Sequence, residues 1–185
     1  MLERIVKHDQ IFEIYSEFEQ ETSWYWWVDG AYPSYDRFEQ WTRNSDKDQI
    51  GIFMCRHKNR EGNYDFTGFV SFSKTDLMHG FSFITLWIKP SLRKEQGLIS
   101  YGLIATVEAI QFAFQHYPLR KIYQNIVSDN TNSLRPTRKV FKEEGTLRDH
   151  YYFEGKYCDL TTLSVTRQDW EHIYNRYKNK ALRFF

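Results

Sequence analysis

The period of the hydrophobic pattern changes once, sharply, near residue 97. Residues 50–57 (IGIFMCRH), 65–73 (DFTGFVSFS) and 81–88 (FSFITLWI) are short apolar or alternating runs. Runs of that kind, broken by Glu61-Gly62-Asn63 and His79-Gly80, predict three strands joined by tight turns. From Gly97 to Tyr117 the apolar residues Leu103, Ile104, Val107, Ile110 and Phe114 recur at a spacing near 3.6. That spacing predicts a long helix, which Pro118 must end. A sheet followed by a helix and further strands restricts the chain to the mixed α/β class.

The flanks extend the pattern. Ile11, Ile14, Tyr15 and Phe18 predict an amphipathic helix over 7–20, and Phe38 with Trp41 a second short one. Residues 121–127 (KIYQNIV) predict a strand. Ser128-Asp129-Asn130 forms a capping cluster before an expected helix over 128–144, with Pro136 near its first turn or bending it. Residues 146–153 and 157–165 predict a hairpin turning at Glu154-Gly155-Lys156. A last helix starts at Thr166 or Asp169. The expected fold is one domain with a central mixed, twisted sheet of about six to seven strands and helices on both faces. Within it, 1–50 is a helical region, 50–165 the sheet core, and 166–185 the C-terminal helix.

Composition narrows the function. The 185 residues carry 25 Lys and Arg against 24 Asp and Glu, which argues against a nucleic-acid or anionic-membrane partner. The 2 cysteines, Cys55 and Cys158, lie in apolar alternation, where a thiol acts as a small hydrophobe. They form neither a disulfide framework nor a metal motif, and no metal is expected. No apolar run approaches the ~18 residues of a membrane span, so a soluble cytoplasmic protein is expected. Aromatic residues reach 18%, which predicts a ring-rich core or a ring-lined pocket.

The chemistry concentrates after residue 88. Lys89-Pro90-Ser91-Leu92-Arg93-Lys94-Glu95-Gln96-Gly97 links a strand to a helix N-terminus. Free first-turn amides, the helix dipole and two basic side chains make such a join an anion site, or else an ordinary solvated turn. Further on come Asn130-Thr131-Asn132-Ser133, Val140-Phe141-Lys142-Glu143-Glu144-Gly145-Thr146-Leu147-Arg148, Gly155-Lys156-Tyr157-Cys158-Asp159 and Asp169-Trp170. In that order these segments resemble the GNAT (GCN5-related) N-acetyltransferases, and in particular the Rim-type branch that acetylates ribosomal-protein N-termini. The resemblance covers roughly 65–175. Departures are Lys94 in the Gln/Arg position of the loop, Ile99 for a small residue, and Val140 for the glycine of a Gly-Phe pair. The tyrosine that many relatives use to protonate the thiolate has no counterpart near 136–138.

The resemblance implies an acyl-CoA-dependent N-acyltransferase, with acetyl-CoA or another acyl-CoA as co-substrate and a primary amine of a peptide or small molecule as acceptor. It implies a sheet split by a V-shaped opening. It places the thioester carbonyl and pantetheine arm on the backbone of Trp87, Ile88 and Lys89, at a bulge in the splayed strand. It places the pyrophosphate on the amides of Arg93, Lys94, Glu95, Gln96, Gly97 and Leu98. Asn130 and Ser133 then contact the pantetheine or order its loop. Candidates for the proton transfers are His79, before the central strand, and Asn125 with Ser128, which could together hold a water. Trp24, Trp26 and Trp27 fall where the first two helices wall the acceptor site, and Asp149 and Asp159 are further acceptor-side candidates. Two other readings fit the same residues: a fatty-acyl transferase acting on a lysine- or ornithine-like side chain of a peptide natural product, and a non-catalytic module that binds CoA or a peptide.

Overall fold

The computed structural model describes residues 1–5, 8–18, 34–46, 49–58, 61–93, 101–153 and 155–181. In chain order these form β1 (Leu2–Arg4), α1 (His8–Phe18), α2 (Tyr35–Asp46), β2 (Ile52–Lys58), β3 (Tyr64–Asp76), β4 (Phe81–Ile88), α3 (Pro90–Arg93), α4 (Tyr101–His116), β5 (Lys121–Val127), α5 (Thr131–Thr137), β6 (Lys142–Phe153), β7 (Lys156–Thr166) and α6 (Arg167–Ala181). The strands make a 7-stranded sheet in the order β1-β2-β3-β4-β5-β7-β6. Its neighbours are antiparallel except β4 and β5, which run parallel.

Alternation along the strands explains why both faces are covered. On β2, Ile52 and Met54 enter one apolar cluster while Phe53 and Cys55 enter the other. The first cluster packs under α1 and α2 through Ile11, Ile14, Phe18 and Phe38. The second packs under α4 and α6 through Val107, Ile110, Phe114 and Trp170. Each such side chain, fully removed from water, contributes about 1.5–3 kcal/mol, so a sheet covered on both faces is the stable outcome.

Three expectations change. The helix expected over 128–144 stops at Thr137, and β6 starts at Lys142. Pro136 sits inside α5, where it has no N–H to donate, and the β7 hairpin recruits the chain beyond Val140 as an outer strand. A first strand, β1, precedes the helical region, paired with β2. Residues 90–93 form a one-turn helix rather than a loop. Among the described residues, no helix is long and apolar enough to cross a membrane.

Candidate active site

The site begins where the sheet fails to close. β4 and β5 pair only at Phe81↔Lys121, Ser82↔Ile122 and Phe83↔Tyr123. Past these three rungs both strands continue, each held by its outer neighbour, so a wedge opens between them. Two hydrogen bonds fix which backbone groups line it. Lys89 donates its N–H to the Thr67 carbonyl of β3 (3.0 Å), and Lys121 donates to the Gly80 carbonyl (3.1 Å). Backbone groups alternate sides along a strand. The N–H and C=O of Leu86 and Ile88 therefore point toward β5, and the amide of Asn125 toward β4. Trp87 and Lys89, expected to present their backbones to the ligand, turn them toward β3 instead.

The bulge lies on a different strand from the one expected. β4 runs in register with β3 from Gly68↔Ile88 to Ser73↔Phe83, whereas the β2–β3 register shifts between Cys55 and Arg56. Thr67 is the extra residue there, and its hydroxyl donates to the Cys55 carbonyl (3.0 Å). The result is a kink in β3 directly behind the end of β4. Gly68 follows, so close to β4 that a Cβ would lie 2.1 Å from the Trp87 carbonyl oxygen.

Side chains alternate between two faces. Trp87 and Asn125 lie on the α1–α2 face; Leu86, Ile88 and Gln124 lie on the α4–α6 face, in step with Ile84, Ile122 and Ile126. The Trp87 ring is 1% exposed, stacked on Phe69 (5.7 Å) and Phe66 (6.2 Å) and met edge-on by Phe18 (5.2 Å). Among the described residues, its buried indole Nε1 has no hydrogen-bond partner, and neither does the buried Oε1 of Gln124. Beside Trp87, the Lys89 ammonium contacts the Glu17 carboxylate at the end of α1 (2.6 Å) and sits 5.9 Å from the Phe66 ring centre.

The other expected residues divide. His79 is excluded from the opening. It lies at the paired end of β4, roughly 20 Å before Leu86 at ~3.3 Å per strand residue. Its ring nitrogen contacts Asp76 (2.8 Å), which also accepts the His79 backbone N–H and is held below the usual carboxylate range by those two bonds. Asn125 and Ser128 lie on opposite faces of the sheet. Asn125 is exposed on the α1–α2 face, while the Ser128 hydroxyl contacts that of buried Thr161 (2.9 Å) on the other. Asn130 caps α5, its side chain accepting from the Ser133 N–H (3.3 Å). Asp149 adopts φ 50 in a second irregularity, on β6, and donates its N–H to the Asp159 carboxylate (3.0 Å). That carboxylate shapes the outer hairpin, and the Asp159 carbonyl receives the Ser128 N–H (2.8 Å) at the end of β5. Arg93 ends α3, and Trp24, Trp26, Trp27 and Lys94, Glu95, Gln96, Gly97 and Leu98 lie outside the described residues. Sequence reasoning missed Leu86, Gly68 and Gln124. Strand parity in 81–88 and 121–127 held the signal for the first and third.

A family model described as an acetyltransferase (GNAT) domain matches residues 1–140. The chain belongs to the GNAT acetyltransferases. As a GNAT protein it is an acyl-CoA-dependent N-acyltransferase, the enzyme class that the sequence motifs imply. Solved structures share the fold. Spermidine N-acetyltransferase SpeG from Vibrio cholerae, in complex with CoA and spermine, is 20% identical with a TM-score of 0.74, covering 92% of this chain and 97% of that one. A mutant of the same enzyme is 18% identical with a TM-score of 0.74, covering 92% and 96%. A chimera of it with hSSAT is 17% identical with a TM-score of 0.74, covering 93% and 99%. No curated protein matches the sequence significantly. Among the described residues of this GNAT domain, no group of His, Cys, Asp and Glu could hold a metal ion.

Proposed function

We propose that this GNAT protein moves an acetyl group from acetyl-CoA to a primary amine of a small molecule or peptide, and that 1–185 acts as one catalytic domain. The observation that carries the reading is the opening between β4 and β5. It offers an extended polar backbone from Leu86 and Ile88 beside apolar side chains, which suits an amide-bearing arm ending in a thioester. The neutral amine attacks the thioester carbon, forming the amide bond as the carbon–sulfur bond breaks; the amine gives up one proton, and the departing thiolate takes one up to leave as the thiol of CoA. N–H groups held in place by β3 can stabilise the oxygen that gains charge.

The two faces divide the work. The donor arm runs along the α4–α6 face, toward the end of α3 and the capped turn of Asn130 and Ser133. The amine comes from the α1–α2 face, where Asn125 orients it beside the Lys89–Glu17 ion pair. The motif resemblance to the Rim-type branch supports a peptide N-terminus as acceptor; the structural neighbours, named spermidine N-acetyltransferases, support a polyamine.

Melting the protein with CoA, acetyl-CoA and longer acyl-CoAs is the first test. Donor at ~100 times its dissociation constant adds about 2.7 kcal/mol, a rise of roughly 5–10 °C. Acetyl transfer to peptides and to spermidine then identifies the acceptor, and Asn125→Ala should lower kcat at least tenfold without changing donor affinity. Preference for a medium-chain donor would overturn the acetyl assignment. Binding without transfer to any amine would favour the non-catalytic module.

A further inference from the structure

Gln124 is the first residue of β5 beyond the last rung shared with β4. Its side chain points to the α4–α6 face, between Ile122 and Ile126 on its own strand, and the next residue along β4 is Ile84. None of those three carries a polar side-chain atom. Buried polar atoms in folded proteins are nearly always hydrogen-bonded, and the exceptions point to an outside partner or a functional constraint. Yet Oε1 of Gln124 is buried with no partner among the described residues.

We propose that the Gln124 carboxamide binds the pantetheine arm of the acyl donor, accepting a hydrogen bond from one of its secondary amides. The inference rests on the acyl-CoA reading above. It supplies what the backbone of β4 does not: a side-chain contact on the β5 wall, so that the arm is gripped from both strands. Each secondary amide of the arm presents one N–H and one C=O. A carboxamide matches either end by rotating its own amide, accepting through oxygen or donating through nitrogen. The contact also fixes how deep the arm enters, because Gln124 sits at the apex of the wedge.

The test compares wild type with Gln124→Leu and Gln124→Met, which keep the volume and remove the amide. Calorimetry measures the affinity for CoA and for adenosine bisphosphate, its nucleotide half without the arm, and a melt without ligand reports the fold. The expected result is about tenfold weaker CoA binding, the size of one net hydrogen bond. Nucleotide-half affinity should be unchanged and the ligand-free melting temperature equal or higher. Unchanged CoA affinity in both variants would overturn the inference. So would equal weakening of both ligands with a lowered melt, which marks a structural role. Failure of the wild type to bind CoA would overturn the acyl-CoA reading itself.

Discussion

Gly68 shows how much of the site rests on one missing side chain. A Cβ there would meet the Trp87 carbonyl at 2.1 Å and the Ile88 Cα at 3.0 Å, and both are backbone atoms with no rotamer to give. In Gly68→Ala the end of β4 must shift away from β3, where its amides face the opening. Overpacking of this kind costs about 1–3 kcal/mol, or roughly 3–10 °C in a protein of this size. Acetyl transfer should fall more steeply than stability does, because the amides move relative to the reacting carbonyl. Equal rates and equal melting temperatures would refute the role. Other single residues were legible beforehand. Alternation placed Cys55 in the core, and burial there pushes its thiol up to about 12. Alternation already puts Asn125 and Ser128, three residues apart, on opposite faces; that His79 lies at the far end of β4 from the opening was hidden, because it depends on where β4 and β5 pair.

At the level of elements, periodicity located α4 and Pro118 its end, since both signals are local. The expected helix beyond Thr137 failed because the competing interaction is distant. Lys142, Glu143 and Glu144 suit a helix, but β7 pairs with Lys142 and Glu143, and Glu144, in a register shift, contacts Ser164 on β7 and Lys121 on β5 (2.7 Å). Three-residue β1 is too short to carry a period. The lock between α4 and α6 was equally hidden. Arg167 opens α6 and donates to the carbonyls of Phe114, Tyr117 (2.7 Å) and Leu119 (2.7 Å), with its guanidinium 5.1 Å from the Phe114 ring centre. They lie at and beyond the end of α4, where a cation is also favoured by the helix dipole; the Tyr117 carbonyl accepts the Leu119 N–H as well (2.8 Å). Arg167→Ala removes the side-chain donor that the Phe114 and Leu119 carbonyls share with that of Tyr117. It should cost about 2–3 kcal/mol, a melting decrease of roughly 5–10 °C, with Arg167→Lys recovering less than half. A melting temperature within 1–2 °C of wild type, about the size of a neutral surface change, would show that α6 docks by its apolar face alone.

Over the whole molecule, the wedge that makes the site also weakens the sheet, since three rungs join its halves. The half beyond the wedge is stitched by carboxylates. Glu144 on β6 is held below its usual range by Lys121 and Ser164, Asp169 on α6 by Lys142 and Thr166, and Asp129 after β5 by Lys156 on β7. A carboxylate depressed in the folded state stabilises it fully above the unfolded pKa, near 4, and loses that contribution as pH falls through the folded value. Glu108 on α4 runs the other way, raised by burial, and offsets part of the loss. The melting temperature should therefore be flat between about pH 5 and 8 and decline below about pH 4. The loss should start on the β5–β7–β6 side, so at acid pH the amides of β6 and β7 should exchange with solvent before those of β2 and β3. Added salt should reproduce part of the effect at neutral pH, because these pairs are exposed and screened. A melting temperature that holds to pH 3, or an acid exchange pattern led by β2 and β3, would show that the two halves are joined by the shared apolar core under α4 rather than by charge.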